Sequence, residues 1–588
     1  MCAIIGVFGK EMPNQRQFEQ ARDTMEHRGP NDAGLYYMPG EGVALGFRRL
    51  SIIDLSEAGH QPFSSADGRF VVVFNGEIYN YLELRKELSG LYVFKTETDT
   101  EVLLASFIVW GAGCLQKLNG MFAFTIWDSK ERKLFCARDR LGIKPFFYFL
   151  KNSTLYFSSE IKGLLALGVP RIPNEDVIFE YLSYGMYDHT EETFFGGIKQ
   201  LKAGYYAVFD SQDGSFEFKQ YWTLKNSIGK NDYIQKQEAH EAFKALMRDS
   251  IMLRFRSDVP VGIILSSGLD SNSLLYYSKN ILGGDIDTFS MCYRSEEFNE
   301  CGLIGDYLTD AQRKKWHTVT PEPSRAIEEA LPMNKTQDQP FGGIPTIAMA
   351  HLYPLADHNN VTVLLSGQGL DELLGGYRYY YPEYEKDKSL APTVRKVSSL
   401  PVSQDMTPLI DANILDRHFI ARHTRRVLFE EPFNSHVLNA QYRDIVYTKL
   451  PRALRFNDHI SMAWGKELRL PYLDYRLVEF CFSLPVEYKI NEHSQKVLAR
   501  EVMSEYLPHI VENTQKKTFS AAQNEWLRTY HKEAIYHIVN STSFKKREYW
   551  NHAALLSKIN RFFAGEGNNS FFLWQCINLE LWFREFID

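Results

Sequence analysis

Nowhere in the 588 residues does an uncharged apolar run approach the roughly 20 residues that a bilayer-spanning helix needs, so no membrane association is expected. The apolar patch in "AIIGVFG" is short and has no basic leader, which argues against a secretory signal and for a cytoplasmic protein. Cysteine is sparse: Cys2, Cys114, Cys136, Cys292, Cys301, Cys481 and Cys576 are odd in number, scattered, and form no CxxC pair of the kind that marks zinc or redox chemistry. A reducing compartment fits. No long Lys/Arg run occurs, and a net charge of −7 lacks the basic stripe that a nucleic-acid footprint requires. Repeats, heptads and low-complexity tracts are absent as well. What remains is a globular chain, too long for one core, whose partners are expected to be small molecules.

Two textures divide it. Residues 1–210 carry short β-branched and aromatic runs separated by Gly, Asn and Asp turns: "VALGFRRLSIIDL", "RFVVVFNGEIY", "MFAFTIWD", "KLFCARD" and "TLYFSSE". Helical stretches at "YLELRKELSG" and "TDTEVLLASFIVWGAG" interrupt them, so the expectation is an α+β domain of antiparallel sheets packed with helices. Residues 235–588 alternate long amphipathic helices with short apolar strands at "VGIILS" and "VTVLLSG", the α/β pattern of a parallel sheet, and end in an all-helical extension. The boundary is expected in "YWTLKNSIGKNDYIQK".

Two strand-to-turn stretches carry chemistry. In "LSSGLDSNSLL" small residues follow a buried strand and open a helix, leaving backbone N–H groups and a helix N-terminus available to an anion. Read alone, the stretch is equally a helix cap cluster. It lacks the lysine that a Walker loop places after its glycines. "LLSGQGLDELLGGY" repeats the architecture and adds carboxylates. Two such turns with Asp270 and Asp371 suit a Mg²⁺ ion bridging pyrophosphate oxygens.

Taken with these, "MCAIIGVFG", "HRGPND", "FRRLSIIDL", "VFNGEIYNY", "TDTEV", "SSGLDS", "SGQGLDE" and "ELRLPYLD" resemble, in order and across nearly the whole chain, the glutamine-dependent asparagine synthetase family. "SSGLDS" is similar to the PP-loop of ATP pyrophosphatases. The resemblance implies an N-terminal-nucleophile glutaminase fused to an ATP-dependent synthetase domain.

The glutaminase residues follow from that resemblance. Cys2 is implied as the nucleophile once Met1 is removed, and elementary chemistry agrees: an α-amine of pKa about 7.7–8.0 can serve as base beside its own thiol. Arg49 is implied to bind the α-carboxylate of glutamine. Asp99 is implied to pair with its ammonium, with Glu77 in support. Asn75 and Gly76 match the oxyanion hole. Ala3 stands where the family usually has glycine, which removes no chemistry.

On the synthetase side the resemblance implies that Leu265, Ser266, Ser267, Gly268, Asp270, Ser271, Ser366, Gly367 and Lys496 hold ATP and its pyrophosphate, with Asp270 and Asp371 toward Mg²⁺. Arg500 falls one turn beyond Lys496. Gln368, Glu372 and Asp338, the last in "DQPFGGIPT", are acceptor-pocket candidates. Two departures stand out. Ser267 replaces a glycine, and Gln368 replaces a glutamate whose carboxylate could accept a proton from ammonia, which an amide cannot do. The reaction implied is amidation of aspartate through an acyl-adenylate. A related enzyme amidating another carboxylate (a cell-envelope sugar acid, a peptide or a natural-product precursor) stays open because of Gln368. An RNA-modifying PP-loop enzyme and an inactive homologue fit the residues less well. The family resemblance leaves a homodimer open.

Overall fold

The computed structural model describes residues 2–229, 234–389, 412–423, 427–512, 520–567 and 569–588. Met1 and part of the expected boundary stretch lie outside the described residues.

The strand-rich half forms two six-stranded antiparallel sheets. In the first, Ala3–Phe8 lies between Thr154–Ser158 and Val43–Arg49. In the second, Phe70–Ile78 pairs along its full length with Gly120–Asp128. Alternation along the strands makes the sandwich: Ile4, Phe8, Leu45 and Phe47 of the first sheet meet Val71, Val73, Ala123 and Trp127 of the second. The outer faces are also apolar and are covered by helices. Phe18 and Ala21 of Gln15–Asp23 cover the first sheet beside Ile5 and Ala44. Tyr81–Leu88 and Asp99–Trp110 cover the second, burying Leu84, Leu88, Val102 and Leu103 against Val72, Phe124 and Phe135. The result is a helix–sheet–sheet–helix stack whose central strand begins one residue after Cys2. Its last strand, Phe216–Gln220, extends past residue 210.

The second half is built on a five-stranded sheet in the order Trp316–Val319, Thr288–Met291, Val261–Ile264, Val363–Leu365, Glu467–Arg469, with every pairing parallel. Its connections run one way from Val261–Ile264 to Thr288–Met291 and the opposite way from Val363–Leu365 onward. The order therefore reverses between Val261–Ile264 and Val363–Leu365, and the crevice beyond the carboxyl ends of two such strands is where open α/β sheets bind ligands. "SSGLDS" and "SGQGLDE" leave those two ends.

Helices complete the domain. The last, Phe571–Phe586, is buried almost all round. Trp574 and Asn578 donate to the Phe341 carbonyl at 3.0 and 2.8 Å, and Trp582 donates to that of Asp338 at 3.0 Å, pinning the "DQPFGG" loop. A buried ionic network ties the halves together: Arg28 reaches Glu160 at 2.9 Å and Asp458 at 2.8 Å, and Lys144 reaches Asp458 at 3.3 Å. One cysteine pair differs from the sequence expectation. Cys292 and Cys301 form a disulfide, with Cα atoms 5.6 Å apart, because the loop after Thr288–Met291 folds back onto the helix beginning at Cys301. Such a bond is not what a reducing compartment favours.

Candidate active sites

Cys2 lies at the lip of the sandwich, where the ends of several strands converge. Its backbone N–H donates to Asn75 Oδ1 at 3.1 Å, and its thiol faces the Leu50 carbonyl at 4.0 Å. Burial, opposed by that carbonyl contact and by Arg49 but reinforced by Glu77, raises the thiol above its ordinary pKa. The resting group is a thiol, so attack requires a base. Asn75 is buried, and among the described residues its Nδ2 has no hydrogen-bond partner, leaving a spare donor on the amide whose oxygen meets the Cys2 N–H. Gly76 has φ 155°, and a Cβ there would come within 2.1 Å of the Met121 carbonyl, so only glycine lets the two strands close at this point.

Arg49 ends its strand with the guanidinium folded onto the loop that follows. It donates to the carbonyls of Asp54 and Ser56, the latter at 2.7 Å, and lies so close to Gly59 that any side chain there would strike it. Opposite stand three buried carboxylates. Glu77 is raised well above the usual range by burial and by the charges of Glu467 and Asp99. Asp99 is pushed up to about 6 by burial, against a hydrogen bond from the Ile78 N–H at 3.0 Å, with Glu467 adding to the rise. A guanidinium on one side and crowded carboxylates on the other suit a zwitterion whose ammonium relieves their repulsion. Cys2, Arg49, Gly76, Glu77 and Asp99 line one cavity of about 30 Å³. Glu467 was not singled out as a site residue in the sequence, because it comes from the far strand of the other sheet. Its presence inside "ELRLPYLD" was the available signal.

The second site forms where the strand order reverses. Lys496, in the left-handed conformation at φ 54°, opens the helix Val497–Ser504. Its Nζ lies 2.7 and 2.8 Å from the two oxygens of Asp270 and 2.6 Å from Asp371 Oδ1. Burial lowers its pKa, but the two carboxylates outweigh that and hold it firmly charged. A Cβ on Gly376 would come 2.0 Å from Asp371 Oδ1 and 2.3 Å from Lys496 Cε, so the cluster requires that glycine. The loops abut: a Cβ on Gly367 would reach Asp270 Cβ at 3.0 Å. In the first loop, Ser271 Oγ meets the Ser266 N–H and hydroxyl, both at 3.0 Å, and the Gly268 N–H points to Ser266 Oγ at 3.3 Å. Leu265 is buried in the preceding strand end, where its N–H donates to the Phe289 carbonyl at 2.8 Å. The Ser366 N–H donates to the Arg469 carbonyl at 3.0 Å. Ser267 meets a residue the sequence reading missed, with its N–H donating to Glu300 Oε2 at 3.0 Å. Nothing in the local sequence around Glu300 points to that contact.

Two carboxylates around one cation, with serine hydroxyls and N–H groups nearby, fit a hard divalent ion whose other ligands are phosphate oxygens. Among the described residues no group of three or more His, Cys, Asp or Glu side chains could hold a metal by itself. Arg500 donates to the carbonyls of Gln495 and Val511, at 3.0 and 2.7 Å, within electrostatic reach of Asp270 and Asp371.

Each acceptor candidate has its own partner. Gln368 Oε1 accepts from Asn457 Nδ2 at 2.8 Å. Glu372 accepts from the Tyr377 hydroxyl at 2.6 Å, and burial with Asp371 alongside pushes its carboxyl up to about 7. Asp338 pairs with Lys162 of the sandwich at 3.1 Å in the interdomain network, and no contact joins it to the phosphate loops among the described residues.

A thiol beside a guanidinium and carboxylates, and a two-loop crevice at the sheet's reversal point in the same chain, fit a glutamine-dependent, ATP-using ligase. Sequence relationships agree. Residues 1–222 match the glutamine amidotransferase domain family and residues 242–584 the asparagine synthase family. Asparagine synthetase [glutamine-hydrolyzing] 1 of Bacillus subtilis is 29% identical, over 99% of this chain and 97% of its own. Putative asparagine synthetase [glutamine-hydrolyzing] 2 of Methanocaldococcus jannaschii is 34% identical, over 71% and 84%. Amidase chry2 of Gibberella zeae is 25% identical, over 87% and 85%. The chain belongs to the glutamine-hydrolysing asparagine synthetase family, whose members use ATP as a substrate.

Proposed function

We propose that the protein makes asparagine from aspartate, glutamine and ATP, with release of glutamate, AMP and pyrophosphate. In the sandwich, Arg49 binds the α-carboxylate of glutamine, and Glu77 and Asp99 bind its ammonium. The α-amine of Cys2 takes the thiol proton as sulfur attacks the side-chain amide. Asn75 Nδ2 and the Gly76 N–H stabilise the oxyanion. Collapse expels ammonia and leaves a glutamyl thioester, which water hydrolyses.

In the second domain, the aspartate side-chain carboxylate attacks the α-phosphorus of ATP. The bond to pyrophosphate breaks, and an acyl-adenylate forms. Ser266, Ser267, Gly268, Ser271, Ser366 and Gly367 orient the phosphates, and Lys496 neutralises charge on the departing pyrophosphate. Asp270 and Asp371 would hold Mg²⁺, which supplies electrostatic stabilisation of the leaving group when bound. Ammonia then displaces AMP.

The observation that carries this reading is the convergence of Asp270, Asp371 and Lys496 at the sheet's reversal point, in a chain that also presents Cys2 beside Asn75. The test is to incubate protein with glutamine, Mg-ATP and aspartate and follow asparagine, glutamate and pyrophosphate together, alongside Cys2→Ala. Asparagine in step with pyrophosphate, lost in the variant and restored by ammonia, supports the reading; its absence from the active protein contradicts it. Gln368 supports one second reading, a different carboxylate as acceptor, for which glutamate forms without asparagine.

A further inference from the structure

Arg469 is fully buried and ends the strand Glu467–Arg469 of the parallel sheet, yet its guanidinium faces the glutaminase site. Nε donates to Glu467 Oε1 at 2.5 Å, and Nη1 donates to the carbonyls of Arg254 and Arg256, each at 2.7 Å. The Tyr79 ring, whose other neighbour is the Arg254 guanidinium, lies 5.4 Å away. Parallel pairing with Val363–Leu365, and the bond from the Ser366 N–H to the Arg469 carbonyl, fix the backbone from the phosphate side. The remaining nitrogen, Nη2, lies 3.7 Å from Glu77 Oε2, and both atoms are buried with no hydrogen-bond partner among the described residues.

The charges around Glu77 give that approach its meaning. Cys2 stands before it, Asp99 faces it from the helix Asp99–Trp110, and Glu467 faces it from the parallel sheet. Burial and two neighbouring carboxylates all favour a neutral Glu77, which would bind an ammonium poorly. Arg469 is the larger charge that opposes them, with the amino terminus adding to it. A movement of about 0.8 Å brings Nη2 to normal hydrogen-bonding distance.

We propose that Arg469, a residue of the synthetase domain, is a positioning residue of the glutaminase, holding Glu77 as the carboxylate that receives the ammonium of glutamine. The inference rests on the glutaminase reading above. It makes the sandwich site dependent on a residue the other domain supplies.

The test uses the full chain with Arg469→Met and Arg469→Lys, measuring kcat and KM for glutamine hydrolysis against pH, and pyrophosphate release with ammonia as nitrogen source. Arg469→Met is expected to raise KM for glutamine by about tenfold or more, in the range of ordinary site couplings. It should also move the acid limb of kcat/KM to higher pH while ammonia-driven pyrophosphate release persists. Arg469→Lys keeps a cation near Glu77 and is expected to leave the limb near its original position. An unmoved limb in Arg469→Met, or equal displacement in both variants, overturns the proposal, since a bracing role alone would not move it according to charge. Should Arg469→Met fail to fold, Arg469→Lys paired with Glu77→Gln decides: because Asp99 titrates in the same site, a limb whose position Glu77→Gln leaves unchanged overturns the role assigned to Glu77. Unsubstituted protein that hydrolyses no glutamine contradicts the underlying reading instead.

Discussion

Lys496 Nζ lies within 2.7 Å of Asp270 and 2.6 Å of Asp371, one ammonium joining the carboxylates of two loops remote in sequence. The three groups are nearly enclosed, so each charge depends on the others. Removing the cation leaves two buried carboxylates facing each other, a loss that typically costs about 3–5 kcal/mol when a buried pair is broken. Lys496→Met should therefore lower the melting temperature, regain part of it on addition of Mg²⁺, and slow adenylation by about 10²–10³-fold. Glutamine hydrolysis should survive. Melting curves with and without Mg²⁺, and pyrophosphate release with ammonia as donor, check this.

Gly376 makes a stricter test of the same cluster. A methyl group there would overlap Asp371 Oδ1 and Lys496 Cε, so Gly376→Ala must displace both. Pyrophosphate release should fall at least about tenfold, in the manner of a misplaced catalytic constellation, while glutamate release stays near normal. Measuring both products from one preparation separates the two domains.

The carboxylates of the sandwich give a pH prediction with a definite sign. Asp99 carries a carboxyl pushed up to about 6, and its charged form binds the ammonium of glutamine. As pH falls through that value the free protein becomes protonated at Asp99, so kcat/KM for glutamine, already falling as the Cys2 α-amine is protonated, should fall more steeply below about pH 6. Asp99→Asn should be poor throughout and should leave only the part of the limb that Glu77 carries. Initial rates of glutamate formation between pH 5 and 8 provide the check.

Gln368 offers its oxygen to Asn457, a contact that glutamate would make equally well. Gln368→Glu should therefore leave the unfolding free energy within about 0.5 kcal/mol of the original. If proton removal from ammonia limits the rate, the variant should speed ammonia-dependent turnover of aspartate. An unchanged rate and acceptor profile would mean that pyrophosphate or another group, such as Glu372 with its near-neutral carboxyl, takes the proton.

Local signals carried much of the architecture. Alternating runs gave the sandwich strands, and the two apolar runs that end in Ser and Gly gave the central strands of the parallel sheet, because each pattern is set by burial on one face or both. The two Ser- and Gly-rich turns were legible for the same reason: a turn from a buried strand end into a helix is small and polar where it stands. Glu467, Arg469 and Glu300 were not legible. Each acts on a partner supplied by a distant segment, Arg469 on Glu77 and Glu300 on the Ser267 N–H, and nothing in its immediate neighbours encodes that meeting. Asp338 shows the converse. Its place in a glycine-rich loop suggested an acceptor pocket, whereas its carboxylate is engaged by Lys162 across the domain boundary.

The central claim is that the acceptor carboxylate attacks the α-phosphorus at the Asp270–Asp371–Lys496 cluster. Aspartate carrying oxygen-18 in its side-chain carboxylate, turned over with glutamine and Mg-ATP, tests it directly by mass spectrometry of the nucleotide released. The account predicts AMP bearing one labelled oxygen for each asparagine formed. Unlabelled AMP, or ADP with labelled phosphate, would contradict it.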